Sequence, residues 1–509
     1  MAGNQHDERA TNPATMSAPG SGPAAGSTRR EKDLLGTLEV PADAYYGIQT
    51  LRAVSNFPIT GQRLPAVLIK SLAMVKQAAA EANEATGYLD SRRARAISRA
   101  AQEIIDGKLH EHFVVDPIQG GAGTSANMNA NEVIANRAIE LLGGQKGDYS
   151  LISPNTHVNM SQSTNDVFPT ALRLAVLFMS KDLMIHLRRL ETALRDKAVE
   201  FNHVIKMGRT HLQDAVPIRL GQEFSAYANV IDRCIARIDR AVQSMKEINM
   251  GATAVGTGLN ADPAYIKEVT IRLSSISGFS LTSTRNLVDG TQNTDAFLEV
   301  SSSLKVLATN LSKIANDLRL MASGPRCGLH EINLPEMQPG SSIMPGKVNP
   351  VMAEVVNQVC FQVIGNDLTI TLAVEAGQLE LNVMEPVIAF NLLQSLQIMT
   401  NVVRVFTDRC IRGITANAER CRQMVEQSIG LVTALSPYLT YEQASEVARE
   451  ALKSNRSVRE IVLERELLSA EDLDRILAPE RMTEPGIAAV DVFRRFRQQR
   501  ADGDRDKQA

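Results

Sequence analysis

The chain has 509 residues, more than one hydrophobic core usually serves, so two or three domains are expected. Its formal net charge of -3 at pH 7 argues against nucleic acid as the main partner, because phosphate binding needs a basic face. Aromatic residues make up 4% of the chain and tryptophan is absent. The core must therefore be aliphatic, which suits packed helices better than a sandwich or barrel.

Both ends of the chain have the composition of tails. Residues 1–29 are rich in Ala, Gly, Ser, Pro and Thr and lack the apolar stretch of a secretion signal, so they are expected to be a disordered tail. Residues 494–509 are a highly charged tail that is expected to fray. No apolar run reaches the roughly 18 residues of a membrane span. The five scattered cysteines form no CxxC pair, which favours a reduced, cytoplasmic setting without disulfides.

Three domains are predicted between these tails. Residues 30–163 form a mixed or mostly helical N-terminal domain with several turns. A long helix is then predicted from Thr170 to about Asn202, with Pro169 just before its start. Its apolar stripe steps by three and four residues through Leu172, Val176, Met179, Leu183, Leu187, Leu190 and Leu194.

Further long helices are predicted over about 221–249, 304–321, 351–375 and 387–405, and Gly324-Pro325 ends the second of these. They exceed the mean helix length of roughly 11 to 12 residues. Residues 164–415 are therefore expected to form a central bundle of elongated helices, and residues 416–493 a small C-terminal domain. The fold class is mostly α. The repeated apolar faces predict an oligomer built on the bundle.

Four polar stretches suit neither a core nor an ordinary surface. They are GGAGTSANMNANE at 120–132, SQSTND at 161–166, GRTHLQDAVP at 208–217 and GSSIMPGKVNP at 340–350. Hydroxyl and amide side chains beside glycine or proline, together with exposed backbone N–H groups, can surround a carboxylate. Each stretch alone can also be a helix cap or a turn, and for SQSTND alone the cap is the favoured interpretation. GGAGT lacks the GK[ST] ending of a phosphate-binding P-loop.

Two charged or titratable residues stand out within these stretches. His211 is the only histidine inside such a cluster, and taken alone it is as well explained by a satisfied core histidine as by a functional one. Lys347 could be an ordinary surface lysine, but Pro345-Gly346 and Pro350 fix the backbone on either side of it. A loop restricted so tightly usually presents a functional group.

Together the four stretches resemble the fumarase/aspartase superfamily and, within it, the aspartases. The resemblance runs from Arg29 to Leu468, and GSSIMPGKVNP is the signature of the superfamily. SQSTND, INLPEMQPGSS, VVNQVCFQVIGND and GQLELNVMEPVI resemble aspartases more than fumarases. One departure is PNTHVN at 154–159, where relatives tend to have PNDHVN, and it weakens any secondary anion site near His157.

The resemblance implies the three-domain fold of the superfamily and a homotetramer with a 20-helix core, in which three subunits contribute to each active site. It implies reversible anti elimination of ammonium from L-aspartate, giving fumarate through an aci-carboxylate intermediate. Ser341 would be the catalytic base, and Glu354 would orient a catalytic His211. The β-carboxylate would be held by Thr124, Ser163, Thr164 and Ser342, the α-carboxylate by Lys347 and Asn349, and the amino group would face Asn165, Thr210 and His211.

No cofactor is implied, because the substrate carboxylate itself takes up the carbanion charge. Some relatives respond to divalent metal ions, but the sequence has no metal-ligand spacing, so no metal site is predicted. Two alternatives remain at this stage. One is a fumarate hydratase acting on malate, and the other is a non-catalytic protein of the same fold. The presence of Thr210, His211, Ser341, Lys347 and Asn349 argues against the second.

Overall fold

The computed structural model describes residues 27–506. Its N-terminal part is a small antiparallel hairpin followed by helices, and α2 packs against α3 and α5. The elements are β1 (Thr28–Asp33), β2 (Gly36–Pro41), α1 (Ile48–Asn56), α2 (Ala66–Ala85), α3 (Ser91–Ile105), α4 (Thr124–Leu141) and α5 (Thr164–Glu200). Helix α5 leads from this part into the centre of the molecule.

The centre is a bundle of long helices in which α5 packs on α6 and α11, and α10 packs on α9 and α11. The elements are β3 (Ile205–Thr210), β4 (Gln213–Arg219), α6 (Leu220–Gln243), β5 (Glu247–Ile248), α7 (Pro263–Ser277), β6 (Thr282–Ser283), α8 (Asp289–Gln292), α9 (Asp295–Met321), β7 (Ile332–Asn333), α10 (Val351–Glu375) and α11 (Glu385–Arg409). The predicted mostly helical fold with a central bundle is confirmed. Its predicted apolar faces are buried, as Leu183, Leu187 and Leu311 illustrate.

The C-terminal part consists of short helices with their own cluster of buried apolar side chains, which Met207 of β3 joins. The elements are β8 (Thr415–Ala416), α12 (Ala418–Gln427), α13 (Val432–Leu435), α14 (Tyr441–Ser454), α15 (Val458–Glu464), α16 (Ala470–Ile476), α17 (Pro479–Met482) and α18 (Val490–Asp506). Strand β8 pairs with β7 of the central part. The β3–β4 hairpin and the β7–β8 pair therefore connect this part to the bundle.

The structure differs from the sequence prediction at the two tails. Strand β1 includes residues 28 and 29, and helix α18 continues through residues 494–506, which were expected to fray. Residues 1–26 and 507–509 of the predicted tails lie outside the described residues. The domain boundaries themselves stay predictions.

The start of α5 was predicted wrongly. The helix begins at Thr164 rather than Thr170, and Pro169 lies inside it. Proline has no N–H, so the carbonyl of Asn165, four residues earlier, has no intrahelical partner. The side chain of Asn249 donates to that carbonyl at 3.0 Å. This bond offsets the loss and explains why the helix tolerates a proline that would otherwise mark its first turn.

Among the described residues, one helical stretch, Glu385–Gly413, is long and apolar enough to cross a membrane by length and composition alone. Of its most apolar window, 67% is buried inside the fold. It packs against α5 and α10 at the centre of the bundle. A single helix of this kind, mostly buried against its neighbours, is weak evidence for a membrane span.

Candidate active site

The first polar stretch forms the turn that starts α4. Gly123 has φ +88°, and a Cβ there would lie 2.4 Å from the ring of Phe168, so only glycine fits. The hydroxyl of Thr124 donates to the carbonyl of Gly121 at 2.6 Å, and its side of the turn is exposed. In the first turn of α4, the N–H of Thr124 donates to the Gly121 carbonyl and that of Ala126 to the Gln119 side chain. The N–H of Ser125 has no partner among residues 27–506, so it can face an anion at the helix start.

The second polar stretch starts α5, and it contains a capping box. The hydroxyl of Ser163 accepts from the backbone N–H of Asn165 at 3.2 Å, and the carboxylate of Asp166 accepts from the N–H of Ser163 at 3.0 Å. The capping interpretation of SQSTND is therefore confirmed for Ser163. A role of Ser163 in substrate binding stays a prediction.

The two helix starts are in direct contact. The side-chain amide of Asn127, one turn into α4, donates to the hydroxyl oxygen of Thr164 at 3.2 Å. Thr164 is buried, and no acceptor for its hydroxyl hydrogen occurs within residues 27–506. The structure thus places the start of α5, with Ser163, Thr164 and Asn165, against the first turns of α4, which begins at Thr124, and it leaves the hydroxyl of Thr164 available as a donor.

A glycine-rich segment that the sequence interpretation missed lies against this place. Residues 249–258 read NMGATAVGTG, and Gly251, Gly256 and Gly258 all have positive φ. The carboxylate of Asp166 accepts from the N–H groups of Gly251 and Thr253 at 3.1 and 3.0 Å. The repeated glycines were the signal that could have revealed it, since they permit backbone to approach a site closely.

The environment of two nearby side chains follows from this segment. The side-chain Nδ2 of Asn165 donates to the carbonyl of Ala254 at 2.7 Å. This bond leaves the Oδ1 of Asn165 as the atom that can accept from an amino group, which is the predicted role. Burial raises the pKa of Asp166 to about 7, although backbone N–H groups and Lys76 oppose that rise. Asp166 is therefore a structural carboxylate that ties the α5 start to the 249–258 segment.

The third polar stretch is the turn of the β3–β4 hairpin. Thr210 ends β3, and His211 and Leu212 follow with φ +55° and +61°, a conformation uncommon for side-chain-bearing residues. His211 is exposed in the single chain. The alternative that it is a satisfied core histidine is therefore wrong for this chain.

A buried ion-pair cluster supports the base of the hairpin. The carboxylate of Glu331, 0% exposed, accepts from Arg209 at 2.7 Å and pairs with Lys206 at 3.0 Å. Lys206 also pairs with Glu223 of α6 at 2.9 Å. Because burial raises the cost of separating such charges, this cluster fixes the hairpin relative to the bundle and the β7–β8 pair.

The fourth polar stretch is a loop closed on itself. The N–H of Gly340 donates to the carbonyl of Lys347 at 2.8 Å, and the side chain of Asn349 donates to the carbonyl of Gly340 at 2.7 Å. A Cβ at Gly340 would lie 2.6 Å from the Lys347 oxygen, so the closure requires glycine. Helix α10 begins directly after Pro350.

The loop surrounds the hydroxyl of Ser341 with backbone donors. Its Oγ accepts from the N–H groups of Ile343 and Met344 at 3.3 and 3.1 Å. Two N–H groups aimed at one oxygen can stabilise negative charge on it. Ser342 and Lys347 are exposed, and the ammonium of Lys347 makes no hydrogen bond or ion pair with any residue of 27–506.

The predicted residues thus fall into separate groups within one chain. They are the α4 and α5 starts, the hairpin turn at Thr210-His211, and the 340–350 loop with Glu354 in the first turn of α10. Across the described chain, no hydrogen bond or ion pair joins His211 to Glu354. The expected Glu354–His211 pair is therefore not formed within a single chain.

The residues around His157 do not favour a second anion site. Its Nδ1 accepts from the backbone N–H of Ser153 at 2.8 Å, within a single π-helical turn over Pro154–Val158. Burial lowers the pKa of His157, which favours the neutral ring. In residues 27–506, no group of three or more His, Cys, Asp and Glu side chains has the arrangement of a metal site.

Two protein-family models match this chain: the family described as Lyase matches residues 36–365, and the family described as Fumarase C C-terminus matches residues 431–484. Aspartate ammonia-lyase of Bacillus subtilis (strain 168) is 61% identical over 465 residues, covering 91% of this chain and 98% of that protein. The structure of fumarate lyase:delta crystallin from Brucella melitensis, bound to cobalt, aligns with TM-score 0.88 and 53% identity over 90% of this chain and 100% of that chain.

A class II fumarase from Schistosoma mansoni has nearly the same fold, with TM-score 0.87, but only 37% identity over 90% of this chain and 99% of that chain. Fold alone therefore does not separate the hydratase from the ammonia-lyase, whereas sequence identity does. The chain belongs to the fumarase/aspartase superfamily of lyases and, within it, to the group of the aspartate ammonia-lyases.

Proposed function

We propose that this protein is an aspartate ammonia-lyase, a carbon–nitrogen lyase that converts L-aspartate reversibly to fumarate and ammonium. The observation that carries the proposal is 61% identity to an aspartate ammonia-lyase over 98% of that protein's length. Two local features support it: the hydroxyl of Thr164 at the α5 start keeps its hydrogen for an acceptor outside residues 27–506, and the 340–350 loop aims backbone N–H groups at the Oγ of Ser341.

The reaction needs a base that removes a proton from Cβ and hydrogen-bond donors that stabilise the negative charge formed on the β-carboxylate. A proton leaves Cβ beside the β-carboxylate, and the carbanion spreads its charge into that group, giving an aci-carboxylate with nearly two negative charges. The C–N bond at Cα then breaks with its electron pair staying on nitrogen, so ammonia leaves and the carbanion electron pair forms the double bond of fumarate. The proton taken from Cβ is finally released from the base, and ammonia takes up a proton to become ammonium. Donors preset around the β-carboxylate lower the barrier, and losing one typically costs about 10²–10³ in rate.

The hydroxyl side chains at the starts of α4 and α5 supply these hydrogen-bond donors. Thr124, Ser163, Thr164 and Ser342 hold the β-carboxylate, because hydroxyl hydrogen bonds can strengthen as charge develops. Thr124 does so by exchanging its bond to the Gly121 carbonyl for one to the substrate. The Thr164 hydrogen, which has no acceptor within residues 27–506, is free for this purpose. The α-carboxylate keeps a constant charge and is anchored by the ammonium of Lys347 and the amide of Asn349.

Ser341 removes the proton from Cβ. A serine hydroxyl is a poor base unless its alkoxide is stabilised. The N–H groups of Ile343 and Met344 at 3.3 and 3.1 Å from its Oγ support this role, and Lys347 supplies positive charge from the same loop. Asn165, Thr210 and His211 face the amino group, and Glu354 of a neighbouring subunit orients His211.

An assembly of copies completes the site. Helix α10 packs on α9 and α11 but leaves a stripe of Phe361, Ile364, Leu368 and Leu372 exposed, at 62%, 36%, 62% and 61%. Steps of three and four residues place these side chains on one helix face, and soluble proteins rarely leave such a patch uncovered. We infer that this stripe is an interface between copies in a homotetramer, which brings the separated residue groups together.

The reaction needs no organic cofactor in this proposal, because the substrate carboxylate takes up the charge. Activation by a divalent metal ion is not part of the proposed reaction. The five cysteines are unpaired, and four of them are buried, which supports a reduced, cytoplasmic setting.

The proposed activity is tested by offering L-aspartate and L-malate separately to the full chain and measuring fumarate absorbance. Fumarate is expected from aspartate. Turnover of malate alone would instead identify a hydratase. Ser341→Ala should lower kcat roughly a thousandfold or more while substrate still binds. Ser454→Ala, on the exposed end of α14, is the matched control and should leave kcat unchanged.

The interface is tested with Leu368→Glu, using light scattering for mass and the same activity assay. The charged side chain should split the tetramer and abolish turnover, because each site loses residues from neighbouring copies. Leu452→Glu is the matched control, since Leu452 is 68% exposed but lies on α14, outside the stripe. A Leu368→Glu protein of unchanged mass would show that the stripe is not the interface.

A further inference from the structure

Beneath the α4 and α5 starts lies a buried network centred on one side-chain oxygen. The Oδ1 atom of Asn159 accepts from Lys76 Nζ at 2.9 Å, Asn127 Nδ2 at 3.2 Å and Asn131 Nδ2 at 3.1 Å. Lys76, Asn127 and Asn131 are 0%, 2% and 0% exposed. None of these residues belongs to the predicted substrate-binding set, although the network ends at Thr164.

The network fixes which way each amide faces. The Nδ2 of Asn159 donates to the backbone carbonyl of Gln162 at 3.1 Å, so its Oδ1 must face the other three residues as an acceptor. Asn127 must therefore turn its NH₂ group toward Asn159. The same NH₂ group reaches the Thr164 hydroxyl oxygen at 3.2 Å.

This orientation determines the direction of the Thr164 hydroxyl. An oxygen that accepts from Asn127 keeps its own hydrogen for another acceptor, and residues 27–506 offer none. If Asn127 presented its carbonyl instead, the Thr164 hydrogen would point back at Asn127. The amide of Asn127 therefore decides whether Thr164 donates into the site or away from it.

Packing alone does not account for the choice of asparagine at 127. The carbonyl oxygens of Asn127 and Asn131 are buried and have no hydrogen-bond partner among the described residues. An unsatisfied buried oxygen costs stability, and an apolar side chain of similar shape would avoid that cost. The amide at 127 contacts Thr164, whereas the amide at 131 does not.

We infer that Asn127, oriented by Lys76 and Asn159, is a positioning residue that holds the hydroxyl of Thr164 as a donor to the substrate carboxylate that gains charge. The inference rests on the proposed function, because it assumes the ammonia-lyase reaction and the role of Thr164 in it. Asn127 itself does not touch substrate. Its effect should grow as the carboxylate becomes an aci-carboxylate, since the Thr164 bond strengthens with that charge.

The test compares two dicarboxylate mimics as inhibitors of the parent enzyme and its variants. Succinate represents the ground state. A nitronate analogue of aspartate, with a nitro group in place of the β-carboxylate, represents the charge of the intermediate. Asn127→Leu should lower kcat by about 10- to 100-fold and weaken nitronate inhibition by a similar factor, while KM and succinate inhibition change by less than about threefold.

Two further variants make the result specific. Asn127→Asp preserves side-chain volume and introduces an acceptor for the Thr164 hydrogen, so it should weaken nitronate inhibition more than Asn127→Leu does. Asn131→Leu is the matched control, since Asn131 donates to the same Asn159 oxygen at 3.1 Å without contacting Thr164. It should leave the ratio of nitronate to succinate inhibition unchanged. Thermal unfolding of each variant is measured first. If Asn127→Leu does not fold, Asn127→Asp takes its place in the comparison of inhibition.

The outcomes separate the inference from the function on which it rests. If the parent forms fumarate from aspartate but the Asn127 variants keep the parent ratio of inhibition, the positioning role is wrong and the function stands. The same conclusion follows if Asn131→Leu shifts the ratio as much as Asn127→Leu. If the parent forms no fumarate from aspartate, the proposed function is wrong, and the inference falls with it.

Discussion

The buried carboxylate of Glu331 offers a direct test of what holds the His211 hairpin in place. It is 0% exposed, accepts from Arg209 at 2.7 Å and pairs with Lys206 at 3.0 Å. Glu331→Gln keeps the shape but leaves the buried Lys206 and the partly buried Arg209 with Glu223 as the remaining carboxylate. Breaking a buried pair in this way typically costs about 3–5 kcal/mol, and the surviving Lys206–Glu223 pair favours the lower end.

The expected change in Tm follows from the size of the chain. With an unfolding entropy of about 2.1 cal/mol/K per residue, 509 residues give roughly 1.1 kcal/mol/K, so this loss should lower Tm by about 3–5 °C. Because the cluster supports the turn that carries Thr210 and His211, KM for aspartate should rise as well. Differential scanning fluorimetry and the fumarate assay measure both effects.

The control for this prediction is a carboxylate in an exposed ion pair. Glu419 pairs with Arg422 on the surface of α12, and such pairs contribute little, so Glu419→Gln should leave Tm and KM unchanged. A Glu331→Gln protein with the parent Tm would show that the two cations relax into solvent. The hairpin would then be held by something other than this cluster.

Three further predictions follow from other sites. Lys347→Ala should raise KM for aspartate by roughly 10- to 100-fold with a smaller change in kcat, because a charge-assisted bond of about 1.5–3 kcal/mol to the α-carboxylate is lost. An unchanged KM would show that Lys347 does not bind the α-carboxylate. A maleimide should label Cys327 alone in the native protein, since the other four cysteines are buried. Burial also raises the pKa of Cys360, Cys410 and Cys421 to about 12. Labelling of a second thiol before denaturation would contradict this prediction. Burial lowers the pKa of Lys76 to about 7 from 10.5. Between these pH values the unfolded chain binds one more proton than the folded chain at this residue, so its contribution to stability rises with pH. Lys76→Met lacks that gain, and its Tm should fall increasingly below the parent Tm from pH 7 to pH 9.

Local signals in the sequence predicted much of the fold. Helix α10 was predicted with its exact bounds, because Pro350 fixes its start and the apolar residues that follow are regular. The end of α9 was predicted from Gly324-Pro325. The start of α5 was missed because Pro169 was assigned its usual place, and the long-range bond from Asn249 that tolerates it has no local signal.

The candidate site was predicted only where side chains share one short stretch. The residues around Ser341 and those at the α4 and α5 starts were found because hydroxyls, amides, glycine and proline cluster along the chain. Lys76 and Asn127 were not found, since their bonds to Asn159 join residues separated by 83 and 32 positions. No bond joins His211 to Glu354 within residues 27–506, so that pair stays a prediction.

Pro169 also gives the site a property that an ordinary helix would lack. Its missing N–H leaves the Asn165 carbonyl to Asn249, so a gap in the helical ladder becomes an attachment point for the 249–258 segment. Pro169→Ala would let the helix close its own ladder and release that attachment. The substitution would thus make the helix more regular but would loosen the candidate site. Pro169 therefore serves to join α5 to the 249–258 segment, rather than being a defect in the helix.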